Sequence, residues 1–138
     1  MTDTGVQEIV ARARTAQASY EKNGSQERYD RAAQAAAWAI MEPTRNQRLA
    51  ELAVETTGLG NVPDKIIKNH RKTLGLMQDI QHAVTYGVMS DDPKTGITEI
   101  ARPKGVVGAI VPSTNPAATP ANNIINALKC GNSIVVAP

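Results

Sequence analysis

The sequence predicts an α/β fold, with a helical first part and a second part that contains a parallel sheet. Up to about residue 84, apolar side chains recur every three or four positions, which is typical of amphipathic helices. From residue 85 onward the pattern changes to short apolar runs separated by Gly and Pro turns. Residues 106–111, 120–130 and 133–137 form a strand–helix–strand pattern, which favours parallel strands joined by a right-handed crossover.

Two helices are predicted before residue 43. The first runs from about Val6 to Glu21, because apolar residues follow a helical period there, and residues 23–24 (Asn-Gly) then end it. Ser25 can cap the second helix. The sequence has no Phe and only 3% aromatic residues. Its core must therefore consist mainly of small and aliphatic side chains, with Trp38 as the one large anchor.

Two further helices complete the helical part. Pro43 suits the first turn of a third helix, and Gly58 ends that helix. Residues 61–64 open a fourth helix, which reaches to about Ala83. Its apolar stripe is predicted to face the core and contains Ile67, His70, Leu74 and Met77. A histidine on such a stripe is more often a buried or half-buried structural residue than a catalytic one.

The second part of the sequence predicts strands in two groups. Residues 85–90 and 96–102 are two strands joined by the turn Asp91–Thr95. The apolar run 106–111 is typical of a strand buried on both faces. Thr119 can cap the following helix, with Pro120 in its first turn, and Gly131-Asn132 ends it. Because the sequence stops just inside the apolar strand 133–137, we expect it to be truncated.

Composition excludes several classes of function. The net charge of +2 is too small to indicate nucleic acid or an anionic membrane as the main partner. No apolar run is long enough to span a bilayer, and no secretory signal is evident in residues 1–5. The single Cys130 excludes an internal disulfide, so a reducing, cytoplasmic location is expected. His70 and His82 lack Cys or carboxylate partners at ligand spacing, which predicts no metal site.

The segment Val111–Pro116, which follows the apolar run 106–111, is the candidate site. In an open parallel sheet, ligands bind beyond the carboxyl ends of the strands. The Asn115 amide is a neutral donor that can stabilise an oxyanion without titrating. From the residues alone, however, an Asn in a Pro-rich turn is more commonly a turn former. Gly105 and Gly108 do not form a G-x-G-x-x-G fingerprint, so a pyrophosphate would not be held in the usual Rossmann manner.

Five separated segments of the sequence carry a family resemblance: Asp64 to His70, Asp91 to Arg102, Val111 to Pro116, Ala127 to Asn132, and Ile134 to Pro138. They resemble the acylating branch of the aldehyde dehydrogenase superfamily. The resemblance begins at about Val6 and continues in order along the chain. The chain is similar to the aldehyde dehydrogenase half of bifunctional aldehyde–alcohol dehydrogenases and to acylating acetaldehyde and sulfoacetaldehyde dehydrogenases.

This resemblance implies an incomplete aldehyde dehydrogenase fold. Residues 1–138 would form the N-terminal part of the NAD(P)-binding domain and contain the first strand–helix–strand unit of its Rossmann-like sheet. Residues 85–102 would be the hairpin arm that pairs subunits in this superfamily, which implies a homo-oligomer. The catalytic domain would be absent.

The resemblance also implies a reaction. The family converts an aldehyde to an acyl-CoA with NAD or NADP and coenzyme A, in either direction, through a cysteine thioester. Asn115 matches the asparagine that stabilises the oxyanion. The strand end and loop that line the cofactor pocket match Ile110, Val111, Pro112, Ser113 and Thr114. Ala137 stands at or next to the place of a lysine that contacts the adenosine ribose in the non-acylating branch, so that contact is absent here or comes from elsewhere.

Other residues are less suited to catalysis. Cys130 lies at a helix C-terminus, where partial negative charge raises a thiol pKa and disfavours the reactive thiolate. The nucleophile is therefore expected outside this chain, which alone would be inactive. Lys65 and Lys68 could reach a CoA phosphate, but a solvated helix face is the simpler interpretation. An alternative function is a non-catalytic assembly element that pairs with full-length subunits through the 85–102 hairpin.

Overall fold

A computed structural model describes residues 3–137. Residues 1, 2 and 138, which entered the predictions about the two ends of the chain, lie outside the described residues. The helical part consists of α1 (Asp3–Lys22), α2 (Gln26–Met41), α3 (Pro43–Thr57) and α4 (Val62–Ile80). The second part consists of β1 (Gly87–Asp92), β2 (Ile97–Ala101), β3 (Val106–Ile110), α5 (Ala118–Lys129) and β4 (Ser133–Ala137).

The strands form two separate two-stranded sheets. β1 and β2 pair as an antiparallel hairpin with an irregularity between Val88 and Ser90. β3 and β4 pair in parallel, from Val106 opposite Ser133 to Ile110 opposite Ala137, and α5 provides the crossover. The predicted fold class is therefore confirmed.

The predicted helix ends are confirmed at four positions. The Ser25 side chain accepts a hydrogen bond from the Arg28 N–H, and the Asn61 side chain accepts one from Asp64, so both residues cap their helices. Pro43 occupies the first turn of α3. Gly58 ends α3 with φ +66, a left-handed conformation that glycine adopts without strain. These ends are set by local chemistry.

One predicted helix cap and one predicted turn differ from the structure. Thr119 does not cap α5, which begins at Ala118 and has no side-chain cap. Instead the Thr119 N–H donates to the Asn115 carbonyl at 3.3 Å, so the preceding loop continues directly into the helix. Pro120 fits because the N–H groups of a first helical turn have no partner inside the helix. In the hairpin, Asp91 and Asp92 belong to β1 and not to the turn.

The large anchor of the core is Tyr29 and not Trp38. Tyr29 is fully buried, whereas Trp38 is 56% exposed. The buried face of α2 passes through Tyr29, Ala33 and Ala37, and Trp38 lies about 100° around the helix from Ala37. The Tyr29 ring packs between Tyr20 at 4.9 Å and Tyr86 at 5.3 Å, measured between ring centroids. The aromatic content of the core thus comes from tyrosine.

Of the predicted apolar stripe of α4, only Met77 packs against the core. His70 is exposed, and Ile67 is 56% exposed. The buried residues of α4 are Lys65, Asn69 and Thr73, so the predicted solvation of Lys65 is also wrong. Asn69 Nδ2 donates to Asn46 Oδ1 at 2.9 Å, and Asn46 Nδ2 donates to the Ile66 carbonyl at 3.1 Å. α3 and α4 therefore meet along a polar seam, which an analysis of apolar periodicity does not detect.

Strand β3 is not buried on both faces within residues 3–137. Ala109 is its one buried residue, and Ile110 is 87% exposed. The only strand beside β3 in this part of the chain is β4. The apolar run predicted a strand correctly, but the strand is less buried than predicted.

Helix α1 fixes the start of β4. The buried Gln17 donates through Nε2 to the Gly131 carbonyl at 3.0 Å, and its Oε1 accepts a hydrogen bond from the Ser133 N–H. Ser133 Oγ donates to the Ala13 carbonyl at 3.0 Å. The Tyr20 hydroxyl donates to the Leu128 carbonyl at 3.1 Å. These contacts hold the end of α5 and the beginning of β4 against α1.

None of the helices between residues 3 and 137 combines the length and apolarity that a membrane crossing requires. In the same residues, no group of three or more His, Cys, Asp or Glu side chains could hold a metal ion.

Candidate functional site

The loop between β3 and α5 lies at the carboxyl ends of both parallel strands. The Val111 N–H donates to the Ala137 carbonyl at 3.0 Å, so the sheet contact continues one residue beyond β3. The Asn115 N–H donates to the Pro112 carbonyl at 3.3 Å and closes a turn. The Thr119 N–H bond to the Asn115 carbonyl then joins the loop to α5. The loop is therefore fixed by backbone hydrogen bonds at both ends.

A cleft of about 350 Å³ opens beside this loop, and its walls are mostly apolar. Three of the five residues predicted to line a cofactor pocket border it: Val111, Pro112 and Ser113. The side chains of Ile110 and Thr114 are exposed and lie outside its lining. Its other lining residues are Thr57, Pro116, Pro120 and Val136. An apolar cleft of this size can take a flat aromatic ring system.

Asn115 contributes an amide that is not used by its own turn. Its Oδ1 atom is buried and has no hydrogen-bond partner among the described residues. An asparagine that only shapes a turn normally accepts a backbone N–H through this oxygen. Because buried polar atoms are nearly always paired, the unpaired Asn115 oxygen is available to a donor from a ligand or from another part of a larger structure. Asn115 does not line the cleft, but its neighbour Pro116 does.

The loop is bordered by a second apolar pocket, of about 300 Å³, on the side of α2 and α3. Pro116 and Pro120 line both pockets, and Leu49 and Ile124 also line the second one.

Three residues of the first cleft, Thr57, Pro120 and Val136, were not predicted from the sequence. Pro120 carried a detectable signal, since it follows the loop closely. Thr57 and Val136 are brought to the cleft by packing alone.

Cys130 lies away from this loop, at the C-terminal end of α5. It is half-buried, and it borders a pocket with Val107 and Asn126. Burial raises the pKa of the Cys130 thiol, and the neighbouring Lys129 charge opposes this only in part. The expected increase in pKa is confirmed, although its main cause is burial. The position is poorly suited to a nucleophile.

We expect Cys130 to react slowly with alkylating agents. Because its pKa is raised, the thiolate fraction near neutral pH is smaller than that of a free cysteine, and the rate should rise only at more alkaline pH. The measurement is the iodoacetamide reaction rate against pH, with glutathione as the reference thiol. Alkylation faster than that of glutathione near pH 7 would contradict the structural assignment of Cys130.

Comparison with known proteins agrees with this architecture. The model of the aldehyde dehydrogenase family matches residues 1–138. The acylating sulfoacetaldehyde dehydrogenase of Cupriavidus necator is 65% identical over 130 residues, which are 94% of this chain and 26% of that protein. The chain thus spans about a quarter of the length of this curated relative.

Solved structures match the fold as a whole. The acetylating aldehyde dehydrogenase of Geobacillus thermoglucosidasius superimposes with a TM-score of 0.89 at 35% identity, covering 96% of this chain and 29% of that chain. An engineered glycolyl-CoA reductase with bound NADP+ superimposes with a TM-score of 0.76 at 31% identity, with coverages of 96% and 29%. The family match over the whole sequence, the acylating relatives and the shared fold together show that this chain belongs to the acylating branch of the aldehyde dehydrogenase family.

Proposed function

We propose that this chain forms part of an NAD(P)-dependent, CoA-acylating aldehyde dehydrogenase that acts on sulfoacetaldehyde. The 65% identity to an acylating sulfoacetaldehyde dehydrogenase supports both the reaction and the substrate. Residues 1–138 would be the N-terminal part of the cofactor-binding domain. The cysteine nucleophile would lie outside this chain.

The observation that carries this proposal is the position of Asn115, in the loop fixed at the carboxyl ends of the two parallel strands of a chain 65% identical to an acylating dehydrogenase. When a thiolate adds to an aldehyde carbonyl, the carbonyl oxygen becomes an oxyanion. The Asn115 amide N–H would donate to that oxygen. The amide remains neutral at all relevant pH values, so its stabilisation of the oxyanion does not depend on a titration.

The cleft beside the loop is suited to one end of a nicotinamide cofactor. Its apolar walls at Val111, Pro112 and Ser113 fit a flat ring, and Ile110 and Thr114 would complete the strand end and loop around it. When bound, the cofactor supplies the hydride acceptor. The chain's own residues would orient the ring and exclude water. Among residues 3–137, no Lys or Arg lines the cleft, so a sulfonate group would be held by residues elsewhere.

The hairpin of β1 and β2 supports a homo-oligomer. Every residue from 88 to 100 is exposed, including Val88, Met89, Ile97 and Ile100. An exposed group of apolar side chains on a projecting hairpin is typical of a protein–protein contact. The same observation favours a second candidate function, in which the chain is a non-catalytic assembly element for full-length subunits.

The test is the intact mass of the purified native protein, followed by an assay of NAD(P)H formation with sulfoacetaldehyde and coenzyme A. We expect a mass several times that of 138 residues, and a rate that requires both CoA and aldehyde. Acetaldehyde is the matched control substrate for the sulfonate group. An inactive protein with the mass of this chain that binds full-length subunits would support the assembly element instead.

A further inference from the structure

Both ends of the hairpin are bound to one short turn at the end of α5. We define residues 129–132 as the anchor turn. On the entry side of the hairpin, Thr85 Oγ1 donates to the Lys129 carbonyl at 2.5 Å. On the exit side, the N–H groups of Lys104 and Gly105 donate to Asn132 Oδ1 at 2.6 and 2.9 Å. Lys129 and Asn132 of the anchor turn therefore hold the entry and exit sides of the hairpin together.

Helix α2 supports the same contact. Gln26 Oε1 accepts hydrogen bonds from the N–H groups of Thr85 and Tyr86, at 2.8 and 3.2 Å. Lys129 Nζ donates to Asp30 Oδ1 at 2.5 Å, and the lysine is buried. Asn132 is also buried. Moving the hairpin away from the anchor turn would break several part-buried hydrogen bonds and leave the oxygen of the buried Asn132 without its two donors.

The anchor turn is also continuous with the sheet that carries the candidate site. Asn132 immediately precedes β4, and Gly105 immediately precedes β3. The two strands pair along their whole length, and the Val111 N–H bond to Ala137 extends the pairing into the loop. The base of the hairpin therefore contacts the residues at which both strands begin.

We propose that the anchor turn couples the hairpin to the loop at residues 111–116, so that the two are ordered or loosened together. The physical reason is that unpairing a buried hydrogen-bonding group is costly, so joint movement is favoured over separation. If the hairpin pairs subunits, as in the proposed function, subunit pairing would then order the Asn115 loop.

The coupling can be tested by amide hydrogen exchange on the native protein that contains this chain, with the variant Thr85→Val. This variant removes the hydroxyl bond to Lys129 and the bond that the hydroxyl accepts from Gln26 Nε2, and it keeps the side-chain shape. We expect exchange to increase by about threefold or more both at residues 85–92 and at residues 104–116. The matched control is Thr98→Val, which removes the bond from Thr98 Oγ1 to Asp91 Oδ1 at the exposed part of the hairpin. Its effect should remain within the hairpin.

Asn132 provides a second test, because it belongs to the anchor turn and binds the exit side of the hairpin. Asn132→Ala should increase exchange at residues 85–92, and Asn132→Asp, which keeps the accepting oxygen, should restore much of the protection. If Thr85→Val does not fold, Gln26→Met takes its place in the experiment. This variant removes the Gln26 oxygen that accepts from the N–H groups of Thr85 and Tyr86.

Faster exchange that is confined to the hairpin in Thr85→Val would overturn the coupling, as would no change in either segment. None of these measurements requires enzymatic activity. The coupling can therefore fail while the proposed function holds, and the reverse is also possible.

Discussion

Replacing Asn115 with Ala is expected to lower kcat of the enzyme that contains this chain by about 100- to 1,000-fold. The amide would contact the substrate oxygen mainly after that oxygen has become negatively charged. Its loss should therefore reduce kcat while KM for the cofactor changes little. Steady-state kinetics with saturating CoA would measure this difference. Asn115→Asp should be at least as harmful, because a carboxylate repels the oxyanion.

The matched control for this result is Asn126→Ala. Asn126 is an exposed asparagine on α5, away from the loop. We expect its replacement to leave kcat close to the wild-type value. A kcat for Asn115→Ala within a few-fold of the wild-type value would show that the residue only shapes the turn.

Gly131→Ala should destabilise the fold by about 3 kcal/mol, the second large effect that we expect. Gly131 has φ +71, which places any other residue in a strained left-handed conformation. In addition, a Cβ atom there would lie 2.4 Å from Cε2 of the Tyr29 ring. Tyr29 is fully buried between two other tyrosines and cannot move away easily. Urea unfolding followed by far-UV circular dichroism would measure the change.

Gly58→Ala separates the two causes. Gly58 has a similar φ of +66, but a Cβ atom there would meet nothing within 4 Å. We expect it to cost only the backbone strain, about 1–2 kcal/mol. Equal destabilisation by the two variants would mean that the contact with Tyr29 adds no cost.

Four helix boundaries were predictable because their causes lie within a few residues. Ser25, Pro43, Gly58 and Asn61 act on adjacent backbone groups, so the sequence around each is sufficient. The orientation of α4 was not predictable in this way. Its contact with α3 is made by the hydrogen-bonded pair Asn46 and Asn69, and polar residues carry no signal in an apolar pattern.

The candidate site was predictable in part, for a related reason. The position of the loop follows from the rule that ligands bind beyond the carboxyl ends of parallel strands. The significance of Asn115 came from the resemblance to a family, since the residue alone fits an ordinary turn. Thr57 and Val136 reach the cleft from distant parts of the sequence, and only the packing of α3 and β4 brings them there.

The placement of the aromatic residues determines which optical signals can report on this fold. Trp38, the only tryptophan, is more than half exposed. Its intrinsic fluorescence should therefore change little on unfolding and respond mainly to whatever covers the surface of α2. The three tyrosines of the sequence instead pack together as Tyr20, Tyr29 and Tyr86. Near-ultraviolet circular dichroism of these rings would follow the tertiary packing that tryptophan emission misses.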